Sequence, residues 1–211
     1  MMLKELSQKL PFLQIGGKHA KPQSKREHQD IPQNPAPAAP VPTEPEEPAP
    51  AAPPEPEPDP AQADFQAGMA ACERRDYSQA LEPLLRSAGA GHREAQFLCG
   101  QLYQRGLTAD ADEKRALAWY KRSAKQGFLP AQMTCAAMYE EGRGTDMNMK
   151  RALYWYEQAA KQGSVPAQLK CGRMYYCGRA ETRNPKKARS WLEAAAGQGS
   201  EDAQKLLHEY F

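Results

Sequence analysis

No stretch of this 211-residue chain approaches the 18 or more consecutive apolar residues of a membrane-spanning helix. The N-terminus, MMLKELSQKLPFLQIGG, also lacks the unbroken apolar stretch of a secretory leader, because Lys4, Glu5, Gln8 and Lys9 interrupt it. A cytoplasmic location is the expectation. Cysteine is scarce and odd in number, five in all, which argues against a disulfide framework and fits a reducing compartment. Histidine is scarcer still, and the spacing of His19, His28, His92 and His208 assembles no Ser/His/Asp or Cys/His constellation. The glycines of Gly142-Arg143-Gly144 match no phosphate-binding fingerprint. Glu140 and Glu141, adjacent on a helix, diverge and read as a solvated face. An enzyme is therefore not expected.

Aromatic residues are missing altogether from the window Pro32–Pro60, which holds thirteen of the nineteen prolines. Such a segment cannot bury enough apolar surface to offset the entropy of ordering it. Residues 17–61 are expected to be a disordered Pro/Ala/Glu-rich linker, extended by polyproline II geometry and by like charge. The folded part is then residues 62–211, long enough for a sizeable core. The net charge of +2 conceals three blocks: +5 over residues 1–26, −8 over residues 27–60 and +5 over the remainder. The last is mild and scattered, whereas a nucleic-acid partner wants a clustered basic face; none is expected.

What is present is a repeat of 36 residues. Trp119, Trp155 and Trp191 mark it, as do Tyr103, Tyr139 and Tyr175, then Gly106, Gly142 and Gly178, then Ala116, Ala152 and Ala188. Each unit reads as two helices. Ala95, Cys99, Leu102 and Tyr103 fall at i, i+4, i+7 and i+8, one helical face, and Gly106 ends that helix. Asp112, Asn148 and Asn184 are N-caps for the second helix, with Pro185 at a first helical position. Ala116, Leu117, Tyr120 and Ala124 form its inner face, and Gly127 closes it. Small residues such as Gly100, Ala116 and Ala124 let the two helices approach, and the large Tyr and Trp fill gaps between units. One hairpin cannot bury its faces alone, so the units stack. The divisions expected are a short first unit at 62–93 with a tight turn at Arg74-Arg75-Asp76, full units at 94–130, 131–166 and 167–202, and a cap helix at 203–211, where Leu207 takes the Cys171 position. The fold class is all-α, an α/α solenoid of nine helices.

The strings AQFLCGQLYQRG (Ala95–Gly106), AQMTCAAMYEEGRG (Ala131–Gly144) and AQLKCGRMYYCG (Ala167–Gly178) resemble the first helix of Sel1-like repeats. KRALAWYKRSAKQG (Lys114–Gly127), KRALYWYEQAAKQG (Lys150–Gly163) and KKARSWLEAAAGQG (Lys186–Gly199) resemble the second. The first unit looks closer to a tetratricopeptide repeat, with Gly68 and Ala80 twelve residues apart. The resemblance implies a superfamily whose members mostly act as adaptors in bacterial signalling and assembly. A hydrolase or β-lactam-binding enzyme, like secreted relatives with a disulfide in each repeat, is an alternative disfavoured by the unpaired cysteines and the absent leader. A self-associating structural protein is another.

Cys99, Cys135 and Cys171 recur on the first helices and read as small core residues. Stacked helices place them about 10 Å apart, too far for a shared zinc ion at about 2.3 Å from each sulfur. Cys171 and Cys177 rise about 9 Å apart along one helix, too far for a disulfide. Cys72 and Cys177 are the candidates for partial exposure. No metal or cofactor is expected.

Two surfaces remain as candidates. In such arrays the first helices line a concave groove. Counting from Gly100 and its equivalents, one row holds Phe65, Phe97, Met133 and Leu169, flanked by Met69, Gln101, Ala137 and Arg173 and by Cys72, Gln104, Glu140 and Tyr176. The apolar row with polar neighbours suits an extended peptide or a helix from a protein partner, or else completes the core between first helices. The second candidate is residues 1–16, where Leu3, Leu6 and Leu10 share a helical face and Phe12, Leu13 and Ile15 follow Pro11. This segment could dock to a protein or, with the basic stretch Lys18–Arg26, to a membrane surface. Nothing in the sequence sets the oligomeric state.

Overall fold

The structure, a computed structural model, describes residues 59–108 and 110–211. Nine α-helices and no strand occur among them: α1 (Pro60–Glu73), α2 (Tyr77–Gly89), α3 (Arg93–Arg105), α4 (Glu113–Lys125), α5 (Leu129–Glu141), α6 (Met149–Lys161), α7 (Val165–Cys177), α8 (Pro185–Gly197) and α9 (Glu201–Tyr210). They pair as antiparallel hairpins, each helix packed on its neighbours in sequence, with α9 laid on α8 and touching α7. The first helix begins at Pro60, with Asp59 as its cap.

The helix starts follow from side-chain chemistry. Asp112, Asn148 and Asn184 accept from the backbone N–H of Arg115, Arg151 and Lys187 at 2.8, 2.9 and 3.1 Å, each removing an orphan donor. The first helices of later units start without a side-chain cap but carry Pro130 or Pro166 in the first turn, which removes a donor outright. The turn between α1 and α2 is made by Arg75 at φ 61°, the one non-glycine left-handed residue described.

Within each hairpin a small residue faces a large one. A Cβ at Gly100 would lie 2.6 Å from the Tyr120 ring, and one at Gly172 would lie 2.7 Å from Leu192. Tyr120 and Tyr156 are buried. Tyr120 thus fills its own hairpin, where the sequence suggested that the large aromatics fill gaps between units.

Between hairpins a buried glutamine does the joining. Gln96, Gln132 and Gln168 each donate to a carbonyl near the end of the preceding second helix, that of Ala88, Ala124 and Ala160. Each then accepts from the glutamine that ends the following second helix: Gln126, Gln162 and Gln198, at 2.9, 2.7 and 2.9 Å. One amide therefore ties three successive helices and leaves no buried polar atom of its own unpaired. This ladder lies under the Ala-Gln pairs that mark the sequence repeat.

The apolar core runs the length of the array, from Phe65 to Leu206. In α9 the buried residues are Ala203 and Leu206, while Leu207, expected at the Cys171 position, is half-buried.

Candidate functional site

The first-helix row does not behave as one surface. Phe65 and Phe97 are only 7% and 5% exposed. Phe65 stacks on His92 with centroids 4.3 Å apart, and Phe97 packs against Phe128 at 5.4 Å and Tyr120 at 5.3 Å. These two belong to the core and correct the groove expectation. Met133 and Leu169 remain half-buried.

The cause is the residue that precedes the next first helix. It is aromatic after Phe65 and Phe97 (His92 and Phe128) but serine after Met133 and Leu169 (Ser164 and Ser200). A ring closes over the row in the first two units, and a hydroxymethyl group leaves it open in the last two. Ser164 reaches only the Met133 sulfur, at 3.9 Å. This signal was available in the sequence, 31 residues beyond Phe97, Met133 and Leu169, and the reading of rows along the first helices missed it.

The flanking rows are partly committed to structure. Gln104 accepts from the Tyr120 hydroxyl at 2.7 Å. Glu140, its equivalent, accepts from the Tyr156 hydroxyl at 2.7 Å and pairs with Lys170 of the next unit at 2.9 Å. Burial would raise the Glu140 pKa, but the Lys170 ammonium and the Tyr156 hydroxyl outweigh it and hold the carboxyl below its ordinary value. Glu140 is thus an inter-unit tie, which corrects its reading as a solvated carboxylate. Tyr176 stacks face to face on Tyr210 at 3.7 Å and lies under Arg183. Met69 and Gln101 are half-buried, the latter with a carbonyl oxygen that finds no partner. Arg173 is exposed. The open part of the face is therefore Met133 and Leu169, flanked by the row that holds Gln101 and Arg173. The candidate docking residues Leu3, Leu6, Leu10, Phe12, Leu13 and Ile15 lie outside the described residues.

Cys72, Cys99, Cys135 and Cys171 are all buried and unpaired, and Cys177 is exposed; the expectation of partial exposure fails at Cys72. Burial pushes the Cys99, Cys135 and Cys171 thiols up to about 12, far from the thiolate that reaction requires. Among the described residues no group of three His, Cys, Asp or Glu is placed to hold a metal ion, and no helix is long and apolar enough to cross a membrane. In the three full units the basic residue two positions inside the second helix lies over an aromatic ring: Arg115 on Tyr103, Arg151 on Tyr139 and Lys187 on Tyr175. That row of positive charge is a cation–π packing device.

The Sel1 repeat family matches residues 93–128, 129–164 and 165–200, three consecutive units that together span half of the chain and coincide with the hairpins α3–α4, α5–α6 and α7–α8. The chain belongs to the Sel1 repeat family. Such repeats typically mediate protein–protein interaction and are generally non-catalytic. Two solved structures agree. One is c5321, a protective antigen of uropathogenic Escherichia coli strains with an SLR fold, 30% identical with a TM-score of 0.65 over 70% of this chain. The other is a Sel1 repeat protein from Oxalobacter formigenes, 32% identical with a TM-score of 0.60 over 68% of this chain. The chain covers 32% of the former and 59% of the latter. No curated protein matches the sequence at a significant level.

Proposed function

We propose that this Sel1 repeat chain is a cytoplasmic adaptor that binds a protein partner on the first-helix face of its last two full units. The observation that carries the reading is the change from aromatic to serine at positions 164 and 200, which leaves Met133 and Leu169 half-buried beside the exposed Arg173. An apolar strip with a polar rim is what an amphipathic helix or an extended peptide needs: apolar anchors supply the affinity and the rim supplies register. The recognition chemistry is therefore a peptide with two apolar side chains, one for Met133 and one for Leu169, and an acidic residue to meet Arg173. The alternative of a disulfide-bonded relative that binds small molecules has no support in the cysteines, all five of which are free.

The experiment is affinity capture from the native cell with full-length protein, wild type against Met133→Asp/Arg173→Glu. Arg173 is exposed and Met133 only half-buried against the core, and circular dichroism verifies that the helical fold is kept. Loss of the captured partner with the fold intact supports the reading. Retention of the same partner at the same yield overturns it, and the site must then be sought elsewhere, the N-terminal residues 1–16 included.

A further inference from the structure

The most exposed aromatic side chain described is not on the first-helix face at all. Tyr154 on α6 is 53% exposed. Its ring stands edge-on to Trp155, with centroids 5.0 Å apart and planes 75° apart. The equivalent positions in the neighbouring units are Ala118 and Ser190, so this aromatic notch belongs to one unit and is no part of the repeat's own packing. Beside it lies a cleft of about 370 Å³ between α4 and α6. Tyr154, Gln158, Lys161 and Gln162 face it as one helical stripe at i, i+4, i+7 and i+8, and Lys125 closes it from the end of α4.

The cleft's charge has one sign. Lys125 and Lys161 are exposed, form none of the ion pairs found among the described residues, and no carboxylate lines the cleft with them. The amides at its floor are already satisfied: the Gln162 side chain donates to the Gly127 carbonyl at 3.0 Å and to Gln132 at 2.7 Å. The walls, not the floor, are what a ligand can use: two ammonium groups and the exposed Tyr154 ring, with the Trp155 indole buried behind it.

We propose that this cleft is a second binding site, built for an extended, proline-rich acidic peptide. Two features select that ligand. Proline rings pack on an exposed aromatic ring such as that of Tyr154, and a polyproline II strand brings little flexibility to lose on binding. The lysines end equivalent helices of adjacent units on either side of the cleft, so carboxylates at one end of the peptide meet them, while prolines at the other end reach Tyr154, two helical turns back along α6 and about 10 Å from Lys161. The inference rests on the reading of the array as a protein-binding module, but it concerns second helices, and the variants that test it leave Met133 and Arg173 untouched.

The test is fluorescence anisotropy of full-length protein with a labelled fifteen-residue peptide of repeating Pro-Pro-Glu, against repeating Pro-Pro-Lys and repeating Gly-Ser-Glu. Saturable binding of the first is expected, with none of the second and binding of the third about ten-fold weaker. Tyr154→Ala, which installs the residue found at position 118, and Lys125→Glu/Lys161→Glu should each weaken it about ten-fold. Both variants alter exposed side chains only, and circular dichroism verifies the fold. Absence of saturable Pro-Pro-Glu binding overturns the proposal. So does equal binding of Gly-Ser-Glu, which leaves charge alone, or unchanged affinity in Tyr154→Ala. If Met133→Asp/Arg173→Glu retains its cellular partner while Pro-Pro-Glu binding persists, the first-helix site fails and this one stands.

Discussion

Replacing Gln132 by leucine isolates the device that joins successive hairpins. Gln132 is buried, donates to the Ala124 carbonyl at 3.2 Å and accepts from Gln162 at 2.7 Å. Leucine keeps most of the volume and removes both bonds. The Ala124 carbonyl keeps the backbone N–H of Gly127 at 3.0 Å, and the Gln162 amide keeps the Gly127 carbonyl at 3.0 Å, so neither is orphaned; the loss is that of two side-chain hydrogen bonds, about 1 kcal/mol each. The leucine recovers about 1 kcal/mol through its apolar surface. The net loss expected is about 1 kcal/mol, or a melting temperature about 2–4 °C lower for a chain of this size. Gln162→Ala is the companion variant: it keeps the bond from Gln132 to the Ala124 carbonyl but takes away the donor to the buried Gln132 oxygen, and should cost about 1 kcal/mol or more. Urea unfolding followed at 222 nm measures both. Equal stability of Gln132→Leu and wild type would refute the claim that the ladder, and not apolar contact alone, joins the units.

Three further outcomes are expected. Glu140 has a lowered folded-state pKa, so its tie to Lys170 adds stability above the ordinary carboxylate range near pH 4.3 and loses it as pH falls through the lowered folded value; the difference between wild type and Glu140→Gln, under about 1 kcal/mol at neutral pH for a pair this exposed, should close below about pH 4 in a stability–pH series. With a thiol reagent at neutral pH, Cys177 should react fast and the other four only on unfolding, because they are buried with raised pKa values; two or more fast thiols would contradict the packing. Gly144→Ala should destabilise by about 2 kcal/mol or more in thermal melting, since the residue sits at φ 67° and a Cβ there would collide with the Glu113 carbonyl oxygen.

The periodic elements were readable because each rests on local chemistry repeated every 36 residues. Asp112, Asn148 and Asn184 had to be caps, and Gly106, Gly142 and Gly178 had to follow helices, where they take φ 61°, 72° and 65°. Which face of a first helix stays open was harder to read, because burial there is set by a residue 31 positions away that belongs to the next hairpin. Phe97 and Met133 are equivalent along the helix and differ only in what comes down on them, Phe128 or Ser164. Glu140 was misread for the same reason: its neighbour Glu141 is local, whereas Lys170 is one unit away. Tyr154 was passed over because it breaks the repeat, and a search for recurring residues discards what occurs once.

The central claim, that the first-helix face of the last two full units holds the partner, is tested most directly by hydrogen–deuterium exchange of the captured complex against the free protein. The account predicts added protection in α5 and α7, centred on Met133 and Leu169, with α1 unchanged. Protection confined to the second helices, or to none of the array, would contradict it.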